Sequence, residues 1–405
     1  MDSVNHTKNP DPKSIVLEQF AEVFGDNKDV RIFFAPGRVN LIGEHTDYNG
    51  GHVFPCAINI GTYAGIRKRS DSLIRLFSVN FKNDGIIEAD CGKELKSDPA
   101  YKWANYPLGI VATFTLRGMK PDKGFDIVYY GDIPNGSGLS SSASIEVLTG
   151  YCLKELYGFD VSKQYLALIG QYSENHFNGM NCGIMDQFAS AFGKKDHAIF
   201  LDTATLIYEY VPVNLGDYKI VIANTNVKHE LTTSAYNDRR RESEEALKDL
   251  QTKADIKTLG DLDNESFAKY SETIKSEVCF RRARHAVSEN VRTMKAVEAL
   301  KNNDITEFGK LMNASHESLD KDYEVTCSEL NIMQEAELSP LPNLGKVCLG
   351  ARMTGGGFGG CTVAIVKESA IDAFIAETEK RYTALSGIKP AFYCIDIGDG
   401  PSEIL

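Results

Sequence analysis

Arginine, glutamate, histidine and aspartate fall within ten residues of one another in the stretch Gly37-Arg38-Val39-Asn40-Leu41-Ile42-Gly43-Glu44-His45-Thr46-Asp47-Tyr48-Asn49-Gly50-Gly51. Carboxylates and imidazole are the natural partners of a polyol, whose hydroxyls both donate and accept. Arg38 would complement a developing negative charge. Functional side chains concentrate on loops, and 36–52 reads as one. A solvated loop laced with weak ion pairs would use the same residues, and the stretch alone leaves both readings open.

A second stretch, Pro134-Asn135-Gly136-Ser137-Gly138-Leu139-Ser140-Ser141-Ser142-Ala143, lies between a strand and a helix. Glycines let backbone approach an anion, and the unpaired N–H groups of a helix start point at it. The hydroxyls of Ser140, Ser141 and Ser142 add donors, and one can face a magnesium ion. Serine and glycine also make ordinary helix caps, so phosphate binding and simple capping both fit. No GxxxxGK[ST] occurs, which disfavours the P-loop NTPase fold. Gly355-Gly356-Gly357-Phe358-Gly359-Gly360 satisfies GxGxxG, but the β-branched run Cys361–Val366 follows it where a dinucleotide site needs a helix. That segment reads as a mobile or tightly turned glycine loop beside the site. His229-Glu230 lacks the second histidine of a zinc motif. Arg239-Arg240-Arg241, interleaved with acids, reads as a solvated helix face.

The elements that must position these residues follow from periodicity. Residues 14–25 predict an amphipathic helix stopped by Gly25, and 31–36 a strand entering the polar loop. Segments 58–68 and 73–81 alternate as strands of an antiparallel sheet, and 125–130 is a strand feeding the Ser/Gly loop. A helix over 141–157 ends at Gly158. The next is capped by Ser162, carries Tyr165, Leu168, Ile169 and Tyr172 inward, and ends near Gly179. Glu174 then sits near its C-terminal end at the edge of that stripe, where the helix dipole gives a carboxylate no support and exposure is the plain reading. Helices at 236–251 and 288–302 and strands at 218–224, 362–366 and 391–397 complete an α+β pattern in two layers per domain. The 405 residues suggest two domains, 1–205 and 206–405, with the last strand returning to the first. A net charge of −12 argues against a nucleic acid or anionic membrane partner. The residues after Met1 show no apolar signal-peptide core, no run approaches a membrane span, and nine cysteines without a CxxC pair read as reduced thiols of a cytoplasmic protein.

Residues 37–51 resemble the galactokinase signature without a break. Gly136–Ala143 and Met353–Cys361 are similar to the second and third motifs of the wider GHMP small-molecule kinases. Gly183-Ile184-Met185-Asp186-Gln187 resembles the galactokinase segment that carries the catalytic aspartate. The resemblance implies an N-terminal α/β domain, a C-terminal ferredoxin-like domain and an active site between them. It implies phosphoryl transfer from ATP to the anomeric hydroxyl of D-galactose, the first committed step of galactose use, with Mg2+ as cofactor; a monomer is expected, with no protein partner evident in the sequence. Asp186 then matches the proposed base and Arg38 the arginine beside it. Glu44, His45, Asp47, Gly183, Asp186 and Tyr236 match sugar contacts. Gly136, Ser137, Gly138, Leu139, Ser140, Ser141 and Ser142 match the phosphate cradle, Ser142 and Glu174 the magnesium ligands, and Trp103 and Tyr106 the adenine pocket. A carboxylate beside a guanidinium is a weak base at neutral pH, so Asp186 either accepts the hydroxyl proton or chiefly orients it. Two alternatives stay open. One is an N-acetylgalactosamine kinase, since mevalonate and homoserine do not call for such a polar loop. The other is a sugar sensor without turnover, disfavoured because Arg38, Ser142 and Asp186 are all present.

Overall fold

A computed structural model describes residues 11–134, 137–227 and 232–404, Thr232 and Thr233 by backbone alone. Asn135 and Gly136 of the Ser/Gly loop, the His229-Glu230 pair and the first ten residues lie outside the described residues.

Among the described residues, three sheets organise the chain. The largest has the spatial order β13 (Ser402–Glu403), β1 (Arg31–Asn40), β3 (Pro55–Lys68), β6 (Phe125–Gly131), β4 (Leu73–Ser78), β5 (Ile87–Asp90). A second, wholly antiparallel, has the order β10 (Cys348–Thr354), β11 (Cys361–Lys367), β9 (Tyr218–Asn224), β12 (Ala391–Ile395). A small sheet joins β2 (His52–Val53), β7 (His197–Asp202) and β8 (Tyr208–Pro212). Two expectations need correcting here. β3 and β4 share a sheet but not an edge: β6 lies between them and runs parallel to β4. The chain between β4 and β6 contains the helix Asn105–Leu116, and a crossover of that kind is what parallel neighbours require.

The second correction concerns β1, which continues through Gly37 and Arg38 to Asn40 instead of ending at Pro36. Its register against β3 shifts between Pro36 and Arg38. Proline cannot donate to the ladder, and a bulge accommodates it while re-aiming the residues that follow. Gly37 allows the close approach: a β-carbon there would stand 2.7 Å from the Leu139 carbonyl oxygen. Two helices are tied to this bend. Ser144 Oγ donates to the Ala35 carbonyl at 2.9 Å and Ser190 Oγ to the Pro36 carbonyl at 2.8 Å.

The helix Ser141–Tyr157 has the predicted limits, and Gly158 ends it in the left-handed region at φ 70°. The helix Lys163–His176 is capped by Ser162, whose hydroxyl accepts from the Tyr165 N–H, and it stops three residues before Gly179. These helices, with Asn105–Leu116 and Met185–Phe192, cover the large sheet around a core that includes Phe33, Ile66, Leu108, Ile127, Leu148 and Phe188. A second core joins Val39, Leu41, Phe54 and Leu139 to Ile222, Val297, Phe308 and Val363. Residues from both halves of the chain therefore pack beneath the polar loop. All nine cysteines are free thiols.

Candidate active site

Arg38 leaves the bend of β1 almost fully buried and meets Asp186 with two parallel bonds, Nε to Oδ1 and Nη2 to Oδ2, each 2.8 Å. Paired N–H donors match the two carboxylate oxygens, so the pair fixes orientation as well as charge. Burial opposes the guanidinium charge, yet the Asp186 and Glu44 carboxylates hold its pKa above the ordinary value. Nη1 of Arg38 donates to the Gly138 carbonyl at 2.7 Å, tying this pair to the Ser/Gly loop. Asp186 sits in the first turn of Met185–Phe192 and also accepts from Ser140 Oγ. Ser140 adopts φ 58° and ψ 53°, a left-handed conformation costly for a residue with a β-carbon.

The polar stretch closes over this pair. Glu44 Oε1 accepts from the Gly355 N–H at 2.8 Å and lies 3.3 Å from Arg352 Nη2. Asp47 accepts from the N–H groups of Tyr48 and Met185. Burial first, and the Asp186 charge second, push its carboxyl up to about 6. Burial, then His285, lowers His45 to about 3, so its ring is neutral. A β-carbon at Gly183 would overlap Asp47 Oδ2 at 1.9 Å, so any larger residue there would displace the Asp47 carboxylate. Tyr236 completes the wall, its ring 5.4 Å from that of His45. Arg38, Glu44, His45, Asp47, Ser142, Glu174, Gly183, Asp186 and Tyr236 thus line one cleft with Gly355 and Gly356. The glycine segment is tightly turned: Gly355, Gly357, Phe358, Gly359 and Gly360 all have positive φ. Arg239 and Arg240 form backbone ties to Tyr323 and Asn181.

The Ser/Gly loop divides its tasks. Gly136 lies outside the described residues. Ser137 is buried, its hydroxyl without a partner among the described residues, and Leu139 is a core residue whose carbonyl accepts the Arg38 N–H. No side chain caps the helix that starts at Ser141, so its first N–H groups remain without a side-chain partner. Ser141 and Ser142 border a second, more apolar pocket formed by Trp103, Tyr106, Phe81, Tyr129 and Ile145, and Ser142 also lines the polar cleft.

Glu174 is not on the surface, as the helical stripe suggests, but 4% exposed. The buried face of its helix runs through Leu166, Ile169, Gly170, Ser173 and Glu174, while Tyr165, Leu168 and Tyr172 are half-buried. Gly170 is the cause, because a β-carbon there would press on the Gln187 side chain at 2.8 Å. Gln187 Nε2 reaches over it to Glu174 Oε2 at 2.7 Å and Glu146 Oε2 at 3.0 Å. Burial and the Asp186 charge push the Glu174 carboxyl up to about 7, and Glu146 is raised by burial and by Glu174. Ser142 lies beside Glu174 in the lining of the same cleft.

Three family models match the chain: the galactokinase galactose-binding signature over 18–68, the GHMP kinase N-terminal domain over 105–194 and the GHMP kinase C-terminal domain over 296–384. A galactokinase of Clostridium acetobutylicum is 51% identical over 96% of this chain and 98% of its own length. One from Bacillus subtilis is 50% identical over 95% and 97%. The chain belongs to the galactokinase family. A Lactococcus lactis galactokinase solved in complex with galactose superposes with a TM-score of 0.93, at 47% identity over 97% of this chain and all of that one. A Methanococcus jannaschii mevalonate kinase, 18% identical with a TM-score of 0.64 over 92% of this chain and 99% of its own, shares the GHMP kinase fold.

Several residues of this galactokinase-family site escape a reading of motifs. Arg352 and His285 hold the Glu44 loop: Arg352 Nη1 donates to the Asn40 carbonyl at 2.9 Å, and His285 Nε2 to the Glu44 carbonyl at 3.1 Å. Glu289 accepts the Gly43 N–H at 3.0 Å. Glu146 and Gln187 flank Glu174. Glu146 follows Ser142 by one helical turn, a spacing that could have flagged it in the sequence.

Proposed function

We infer that this chain transfers the γ-phosphoryl group of ATP to the anomeric hydroxyl of D-galactose, giving α-D-galactose 1-phosphate and ADP. The observation that carries the reading is Ser142, which borders both the polar cleft and the aromatic pocket. A nucleotide with its base against Trp103 and Tyr106 has its phosphates at the uncapped helix start, where N–H groups favour anions. A sugar among Glu44, His45, Asp47, Gly183 and Tyr236 presents its reacting hydroxyl to Asp186. Arg38 fixes Asp186 and offsets charge on the transferring group. Asp186 orients that hydroxyl and takes its proton as the new bond forms.

The cleft lining carries four carboxylates, Glu44, Asp47, Glu174 and Asp186, against one guanidinium. That excess of hard oxygen donors fits Mg2+, which keeps several waters and needs few protein ligands. Ser142 and Glu174 would hold it, and when bound it neutralises phosphate oxygens. Residues 1–205 and 206–405 form the two domains, with β13 added to the first. A monomer in a reducing, cytoplasmic setting is consistent with nine free thiols. An ADP-release assay with galactose, N-acetylgalactosamine and glucose tests the reading. Faster turnover of either competitor overturns the substrate, and no ADP at saturating magnesium, ATP and galactose makes the chain a sensor.

A further inference from the structure

A chain of hydroxyls runs from the sugar cleft into the helices of the second half. His45 Nδ1 lies 2.7 Å from Tyr48 Oη, Tyr48 Oη lies 2.8 Å from Tyr323 Oη, and Tyr323 Oη lies 2.9 Å from Ser243 Oγ. Ser243 Oγ is 3.0 Å from the Arg239 carbonyl. Tyr323, Ser243 and His45 are buried and Tyr48 is half-buried, so the inner links are shielded from water.

The direction of every bond follows from its inner end. A carbonyl oxygen only accepts, so the single Ser243 proton goes to Arg239. Ser243 must then accept from Tyr323. Tyr323, having given its proton away, accepts from Tyr48. Tyr48 in turn accepts, and the only donor left is an N–H at His45 Nδ1. A neutral imidazole carries one N–H, so Nε2 is left as a bare acceptor. That nitrogen is buried and has no well-aligned hydrogen-bond partner among the described residues; the Gly356 carbonyl lies within electrostatic reach of the ring and would favour the opposite tautomer, which imidazole spectra distinguish. The short π-helical turn Leu319–Tyr323 carries Tyr323 into line, and Arg239 Nε anchors its carbonyl at 2.7 Å. The turn follows directly on the helix Ile305–Ser318 and is ended by Glu324 in the left-handed region.

We propose that Ser243 and Tyr323, acting through Tyr48, are positioning residues that fix His45 as the Nδ1–H tautomer, so that its Nε2 accepts a hydroxyl hydrogen of the bound sugar. The part concerning the ligand rests on the sugar reading of the cleft; the tautomer does not. A sugar lacking the hydroxyl that faces His45, or carrying an acceptor-only substituent there, is rejected because a buried acceptor loses its partner. The relay therefore selects for a free hydroxyl at one position of the hexose.

Imidazole proton–nitrogen correlation spectra of the ligand-free full chain, labelled at histidine, report the tautomer of His45 directly. The wild type is expected to show Nδ1–H. Ser243→Ala removes one buried oxygen and little volume, and it frees Tyr323 and Tyr48 to reverse their donation; Tyr323→Phe breaks the relay one step closer. Both are expected to move the proton toward Nε2. Both should also raise the KM for galactose by about three- to tenfold, the scale of one neutral hydrogen bond, with kcat nearly unchanged. An Nε2–H tautomer in the wild type overturns the proposal, as does a spectrum that neither substitution changes. Failure of the wild type to turn over galactose would instead refute the substrate, since the spectrum is recorded without it.

Discussion

Asp186 is held by three donors from two different elements, and this decides how its substitution should behave. Asp186→Asn keeps the shape but loses the charge that Arg38 neutralises. Turnover is expected to vanish while ATP still binds, measured by calorimetry; more than about a tenth of the rate remaining would contradict a base role. Ser140 separates strain from function at one position. Its left-handed backbone costs about 1–2 kcal/mol in a residue with a β-carbon, and its hydroxyl reaches Asp186. Ser140→Gly should therefore unfold at higher temperature than Ser140→Ala, while both lose kcat by about tenfold through the missing hydrogen bond. Equal melting temperatures would remove the strain argument. Equal activity to wild type would remove the hydroxyl's role.

Between neighbouring elements, the same low-polarity interior that raises Glu174 raises a carboxyl far from the site. Glu337, on the helix Ser328–Leu338, is buried against β11, accepts from Thr362 Oγ1 at 2.7 Å, and has its other oxygen unpartnered. Burial pushes its pKa up to about 8, from an ordinary 4.5. The native state thus holds a proton that the unfolded chain has released. Its contribution is complete below the unfolded pKa near 4.5 and is lost as pH rises through 8. Glu337→Gln mimics the protonated form, so the gap between variant and wild-type melting temperatures should grow between those pH values. A gap independent of pH would show that Glu337 is charged in the native state. This burial was not legible in the chain for the reason that hid Glu174. A helical stripe counts apolar residues, and a carboxyl that finds partners across a helix interface looks like a surface residue.

At the scale of the whole molecule, the site belongs to neither half. Arg352 on β10 is fully buried and connects the second sheet to Asn40 and Glu44 of the polar stretch. Removing one member of a buried ion pair strands the other, at a cost of about 3–5 kcal/mol. Arg352→Met should lower the melting temperature by several degrees and weaken the stabilisation that galactose confers on the wild type, read by thermal shift. An unchanged shift would mean that Glu44 is held without Arg352.

The amino-acid sequence alone determined the local elements and the family. The helix 141–157, its glycine stop and the Ser162 cap follow from short-range periodicity and backbone conformation, which need no tertiary partner. Four motifs of fixed residue order carried the chemistry to the same degree, since each holds its signal within fifteen residues. Only the tertiary structure decided which residues act together. Arg38, Ser140 and Asp186 converge because β1 bends at Pro36 and two helices tie to that bend. Glu146 and Gln187 reach Glu174 because Gly170 leaves room. Tyr323 reaches Tyr48 across 275 residues of chain, and Ser243 reaches Tyr323 across 80. Contacts of that kind depend on register, bulges and close approach, and no periodicity in the chain encodes them.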